Sequence, residues 1–210
     1  MAGKPNRAVI FDLDGVLVDS TGVVERAWRW WAEEQGVPVA QVLAIAHGRP
    51  SRDVVRELTP HLDGDEQARR LDGWETEHSE GLIAVPGAAE CVATARRGPW
   101  AVVTSGGREL ASERLLTAGL PLPPVLVTAD DVEHGKPHPE PYERAGRALV
   151  LAPASCLVVE DAPAGVAAAK GAGMMVIAVS TTHEPDALRE ANLVLDSMHE
   201  ANAQLRKHLA

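Results

Sequence analysis

Cysteine is scarce in this 210-residue chain: Cys91 and Cys156 are the only two, giving neither a disulfide framework nor a Cys-based zinc spacing. That scarcity favours a reducing, intracellular home. No apolar run approaches the roughly 18 residues that signal a membrane span, and the opening Met1-Ala2-Gly3-Lys4-Pro5 lacks the apolar stretch of a signal peptide. The expectation is a soluble cytoplasmic protein with no membrane contact. Basic charge is in deficit, 20 residues against 30 acidic ones, and a formal charge of −10 repels nucleic acid as a bulk partner. Tyrosine and phenylalanine occur once each, whereas five tryptophans are present and three of them, Trp28, Trp30 and Trp31, crowd together. No close histidine pair at helical ligand spacing is evident, which discounts zinc. With 45% hydrophobic residues, the chain still has enough apolar material for one core, or for a core and a small second domain.

The apolar residues fall into short runs. From Arg7 to Leu13 the chain has the pattern of a strand buried on both faces of a parallel sheet, and similar runs recur at Trp100 to Ser105, Val125 to Thr128, Ser155 to Glu160 and Met174 to Ser180. Between them, Glu109 to Ala118, Glu140 to Leu149 and Ala164 to Gly171 are helix-like. Strands alternating with helices predict βαβ units and a Rossmann-like, doubly wound α/β sheet. The interval from Ser20 to about Ala84 breaks this rhythm. Its stretches Val23 to Gln35, Val39 to Ala46, Arg52 to Leu58 and Asp65 to Glu80 predict a small all-helical insertion after the first strand. The boundaries follow: residues 1–17 and 85–210 form the Rossmann-like core and 18–84 the insertion, with Val85-Pro86-Gly87 as the return hinge and Ala88 to Arg96 as the next helix.

Polar residues collect where the strands end. Asp12 and Asp14 sit two positions apart after the first strand, at the sheet edge where open α/β folds bind ligands. Carboxylates packed that closely call for a cation, a shared proton or free solvation. Thr104-Ser105-Gly106-Gly107 offers a hydroxyl and backbone amides to an oxyanion, Lys136 lies between Gly135 and Pro137, and Glu160-Asp161 forms a second acidic pair before a helix. Each feature taken singly also has a plain structural account: an acidic turn, a helix N-cap, a solvated loop lysine. Together they supply what is needed to hold Mg²⁺ and a phosphate beside a nucleophile.

These residues, in this order, resemble the haloacid dehalogenase superfamily of aspartate-nucleophile phosphotransferases. Phe11 to Ser20, FDLDGVLVDS, is similar to the family's first motif, Thr104 to its second, Lys136 to its third and Glu160-Asp161 to its fourth. The stretches WAVVTSG, ADDVEHGKPHPEPY and VEDAPAG look like those of the small sugar- and polyol-phosphate phosphatases, with the β-phosphoglucomutases as cousins. The likeness runs from about Arg7 to Thr182 and is loose thereafter.

The resemblance implies roles. Asp12 would accept the phosphoryl group, and Asp14 would protonate the leaving alcohol and then activate water. Mg²⁺ would be held by Asp12, the carbonyl of Asp14 and Asp161, with Glu160 as a ligand or a support. Thr104, Ser105, Gly106 and Lys136 would bind the phosphoryl oxygens. The acid at position 14 points to ester hydrolysis or mutase chemistry. The insertion corresponds to the family's cap, in which His47, Arg49 and Arg52 are candidate contacts to substrate; Asp131 would orient the Lys136 loop. Glu75, Glu77 and His78 are expected on a solvated face. Trp28 and Trp31 share a helix face and are expected in the cap's core, or with one indole over the cleft. The implied enzyme is a Mg²⁺-dependent phosphatase of a small phosphorylated sugar or polyol, acting as a monomer or small homo-oligomer. A sugar phosphomutase and an idle ligand-binding relative are the alternatives.

Overall fold

A computed structural model describes residues 7–46 and 49–210. His47 therefore lies outside the described residues. In chain order the elements are β1 (Ala8–Asp12), β2 (Val18–Asp19), α1 (Thr21–Gln35), α2 (Val39–Ala46), α3 (Ser51–Leu58), α4 (Gly64–Glu77), β3 (Ile83–Ala84), α5 (Ala88–Ala95), β4 (Trp100–Val103), α6 (Arg108–Thr117), β5 (Val125–Val127), α7 (Glu140–Ala148), β6 (Cys156–Glu160), α8 (Pro163–Gly171), β7 (Met175–Val179), β8 (Leu193–Leu195) and α9 (Met198–Leu209).

The sheet is the doubly wound parallel one that the sequence predicts. Its order is β5-β4-β1-β6-β7-β8, and every neighbouring pair is parallel. All five residues of β1 are buried, as befits a central strand covered on both sides. Alternation along it divides the core: Val9 and Phe11 join an apolar cluster with α5, α6 and α9, whereas Ala8 and Ile10 join the cluster under α7 and α8. The chain crosses from one side of β1 to the other between β5 and β6, so the crevice at the carboxyl ends of β1, β4 and β6 is the topological switch point. Asp12 pairs in register with Val103 and Phe11 with Val159, which brings Asp12, Thr104 and Glu160 to one edge. After β7, both β8, only three residues long, and α9, capped by Ser197, whose hydroxyl accepts from the Glu200 amide, lie beyond the sequence expectation.

Helices α1 to α4 lie between β2 and β3, two short strands that pair antiparallel through Val18 with Ala84 and Asp19 with Ile83. Glycine ends α1, since Gly36 adopts φ +66°, and Asp63 caps α4 by accepting from the amides of Asp65 and Glu66. These helices bury an apolar cluster of their own, including Trp28, Trp31, Val42, Val54, Val55 and Leu71. Trp28 and Trp31 meet edge to face at 5.5 Å, as their shared helix face requires. Trp30, on another face, is half-buried and stacks on Trp74, which in turn stacks on His78. The buried Trp31 indole donates to Gln67 Oε1 at 3.0 Å. Trp31→Phe removes that bond and part of the packing, and should lower stability by about 1–3 kcal/mol in urea unfolding. No change in midpoint would show that the bond adds nothing.

Candidate active site

Lys136 reaches the sheet edge from the loop after β5. Its side chain is only 6% exposed, and its ammonium donates to Asp12 Oδ1 at 2.5 Å and to Glu160 Oε1 at 2.6 Å. Burial alone would lower the Lys136 pKa, but the two carboxylates outweigh it and hold it well above the usual value. The lysine is therefore a fixed positive charge. The Tyr142 hydroxyl also donates to Glu160 Oε1 at 2.8 Å, while Oε2 accepts from the amides of Asp161 at 2.9 Å and Ala162 at 3.0 Å. The Glu160 carboxylate is thus spent on protein donors, which favours a supporting part over direct ligation of a metal. Gly165 on α8 makes room for it: a Cβ there would lie 1.5 Å from Glu160 Oε1.

Asp12 and Asp161 complete the acidic group. With Glu160 they form a buried trio whose ligand atoms lie within 4.8 Å of one another. Burial, reinforced by Glu160 and Asp14, pushes Asp12 up to about 7 against the opposing pull of Lys136. Burial likewise holds Asp161 well above its ordinary range, with Glu160 and Asp12 adding to it, although the Thr182 hydroxyl donates to Asp161 Oδ2. One ammonium does not balance these carboxylates. Gly15, at φ +78°, lets the first loop pass close by, because a Cβ there would sit 2.1 Å from Asp161 Oδ2.

Asp14 is less buried. Its Oδ1 accepts from Ser20 Oγ at 2.7 Å and Arg114 Nη1 at 2.5 Å, and its Oδ2 lies 3.5 Å from Thr104 Oγ1. Thr104 Oγ1 accepts from the Gly106 amide at 3.2 Å, folding the loop into a turn beside Asp14. Ser105 and Gly106 line the same cleft of about 150 Å³, together with Asp12, Asp14, Lys136, Glu160 and Asp161. The sequence-predicted core residues therefore line one cleft, except Thr104, which lines the adjoining cavity and meets the cleft through Asp14.

The insertion supplies the other wall. Trp28 is buried and also lines the cleft, as does Arg49, which pairs with Glu57 at 2.7 Å. Arg52 lies elsewhere, in an adjoining cavity of about 120 Å³ beside Gly135, 3.9 Å from Asp65. Glu75 departs from the solvated face expected of it. It is 5% exposed and accepts from Arg114 Nη2, and burial outweighs that partner to push it up to about 7. Asp72, one turn earlier, accepts from the Gly107 amide at 2.8 Å, with burial raising its pKa. Asp131 does hold its loop, accepting from Thr128 and Arg108. Arg114, Asp72, Ser20, Tyr142 and Thr182 were not singled out from sequence. Arg114 had no signal beyond its place on a helix whose apolar residues mark no clear face.

Among the described residues one other ligand-type trio, His134, His138 and Glu140, gathers on the surface; contrary to the expectation of no close histidine pair, His134 and His138 stand four positions apart, but on the Lys136 loop rather than on a helix. Glu140 is engaged there by the Glu133 and His134 amides, and His138 Nδ1 accepts from the Glu140 amide, so the trio stitches the loop.

Comparison with known proteins bears on this geometry. The model of the haloacid dehalogenase-like hydrolase family matches residues 6–173. The chain belongs to that family. It is 42% identical over 202 residues to hexitol phosphatase A of Escherichia coli, covering 92% of each chain. Among solved structures it resembles a hydrolase from Pseudomonas syringae, with TM-score 0.82, 27% identity and coverage of 96% and 99% of the two chains. It also resembles a β-phosphoglucomutase assigned from Thermotoga maritima, with TM-score 0.72, 29% identity and coverage of 96% and 99%. Its kinship within this haloacid dehalogenase-like family places it among the phosphoric monoester hydrolases.

Gly165→Ala tests the packing under Glu160. The added methyl must displace the carboxylate from Lys136 and Tyr142, with a stability loss of about 1–3 kcal/mol and a fall in turnover of up to about 100-fold from the misplaced lysine. Thermal denaturation and steady-state phosphate release check this; unchanged turnover would detach Glu160 from the site.

Proposed function

We propose that the protein is a Mg²⁺-dependent phosphatase that hydrolyses a small sugar or polyol phosphate monoester through an aspartyl phosphate on Asp12, as a soluble cytoplasmic enzyme. The observation that carries this is the convergence of Asp12, Asp161, Lys136 and the Thr104 loop on one cleft at the switch point. The hexitol phosphatase relative supports the substrate class.

The donor set fits Mg²⁺. The Asp12 and Asp161 carboxylates and the Asp14 carbonyl are hard oxygen donors, and the surplus of buried carboxylates over Lys136 calls for a further cation. Bound there, Mg²⁺ would neutralise charge on the phosphoryl group and the nucleophile. The protein's own groups do the rest. Lys136 holds Asp12 Oδ1 in place, leaving the other oxygen to attack phosphorus. Thr104, Ser105 and Gly106 present a hydroxyl and amides to the phosphoryl oxygens. Asp14 gives a proton to the leaving alcohol, then takes one from the water that cleaves the acyl phosphate. Residues 18–84 act as the cap over this core, with Trp28 as an apolar wall and Arg49 in reach of substrate, excluding bulk water.

Asp12→Asn should fold normally and abolish phosphate release from the best substrate in a panel of glycerol 3-phosphate, 2-deoxyglucose 6-phosphate, hexitol phosphates and hexose 1- and 6-phosphates. Retained turnover would sink the nucleophile assignment. Interconversion of hexose 1- and 6-phosphates without phosphate release would establish the mutase instead.

The metal reading has a pH signature. Asp12 stands near 7 in the metal-free fold against 3.8 ordinarily, so its contribution to stability is present below about 4 and is lost as pH rises through 7. Mg²⁺ takes the place of that proton, so the Tm increment from saturating Mg²⁺ should be larger at pH 8 than at pH 6. Equal increments would count against binding at these carboxylates.

A further inference from the structure

Arg114 is a buried guanidinium shared between two parts of the fold. Its Nη1 donates to Asp14 Oδ1 at 2.5 Å, and its Nη2 donates to Glu75 Oε2 on α4. Its Nε has no hydrogen-bond partner among the described residues. A buried donor left unpaired costs free energy, and a buried ionic triad is seldom more stabilising than apolar side chains of the same volume. Stability alone does not account for an arginine here.

Its geometry does. Asp14 Oδ1 is gripped twice, by Arg114 and by Ser20, whose hydroxyl makes no cap bond at the start of α1. Both grips answer to the position of the helical insertion: Ser20 stands at its entry, and Arg114 is tied to it through Glu75. Oδ2 is left facing only the Thr104 hydroxyl, at 3.5 Å, among the described residues.

We propose that Arg114 is a positioning residue which, while bridged to Glu75, fixes Asp14 Oδ1 and leaves Oδ2 for proton exchange, so that acid catalysis is engaged only when α4 is seated on the core. The inference rests on the phosphatase reading. In the first transfer an Asp12 oxygen bonds to phosphorus as the ester P–O bond breaks; the proton on Asp14 Oδ2 passes to the departing alkoxide, leaving Asp14 as carboxylate. An alkoxide needs that proton, whereas p-nitrophenolate departs without one.

The test compares kcat/KM on an alkyl ester, glycerol 3-phosphate or a hexitol phosphate, with that on p-nitrophenyl phosphate, all at saturating Mg²⁺. For Arg114→Met the loss on the alkyl ester should exceed the loss on the aryl ester by at least about tenfold. Arg114→Lys should recover part of the difference, and Glu75→Gln should show a smaller one. The double variant should be no worse than Arg114→Met, because both act through one bridge. Equal losses on the two esters, or losses that multiply in the double variant, would assign Arg114 a structural role and overturn the proposal. Should Arg114→Met fail to fold by circular dichroism, Glu75→Gln, which keeps volume and an acceptor, carries the comparison alone. A wild type that releases phosphate from neither ester overturns the phosphatase reading itself, an outcome distinct from equal losses.

Discussion

The Lys136 ammonium, nearly buried between Asp12 and Glu160, makes the interaction on which the carboxyl edge of the sheet depends. Three buried carboxylates, those of Asp12, Glu160 and Asp161, converge around this one cation, and packing of that kind is unfavourable unless each charge is answered. The protein answers them unequally. Glu160 is saturated by a lysine, a tyrosine and two amides, and so becomes a rigid post. Asp12 and Asp161 are left short of positive charge, and burial drives both toward the protonated form. An unbalanced pair of hard oxygen donors beside a saturated one could hold a small divalent cation, as the proposed reading requires.

The fold makes that imbalance affordable by fixing everything around it. Parallel pairing sets Asp12 and Glu160 on adjacent strands at the same height, and Tyr142 on α7 reaches under the sheet edge to share the Glu160 oxygen with Lys136. Glycines at 15 and 165 let backbone approach where any Cβ would strike a carboxylate. At Gly165 the constraint is one of contact alone, whereas Gly15 answers both to contact and to its own left-handed backbone.

What was legible in the sequence follows from this division. Strands β1, β4, β5, β6 and β7 announce themselves because a strand buried on both faces must be apolar throughout, and the site residues stand at their ends where polarity returns. Helices α1 to α4 show by periodicity. β8 does not, since Leu193 to Leu195 is too short to display a period and is defined only by pairing with β7. The same holds within the site. Asp12 and Lys136 are flanked by motif, but Glu75 and Arg114 are ordinary charged residues within helices, and only the docking of α4 against α6 turns a residue expected in solvent into a buried partner. Arg49 and Arg52 show the converse. Three positions apart, they diverge into separate cavities because Arg49 precedes α3 and Arg52 lies within it.

The contact between insertion and core is of a different kind from the interior of either. Apart from Val23, the buried apolar residues of α1 to α4 cluster among themselves, and among the described residues Asp72 to Gly107 and Glu75 to Arg114 are polar links from α4 to the core. Exchange of such bonds for bonds to water is close to neutral in free energy, whereas separating an apolar interface costs about 25 cal/mol for each Å² exposed. A joint built from buried hydrogen bonds therefore closes specifically without closing tightly. With residues 18–84 acting as the proposed cap, it would exclude water from the cleft when shut and leave the energy of closure to whatever fills the cleft between Trp28 and the Thr104 loop.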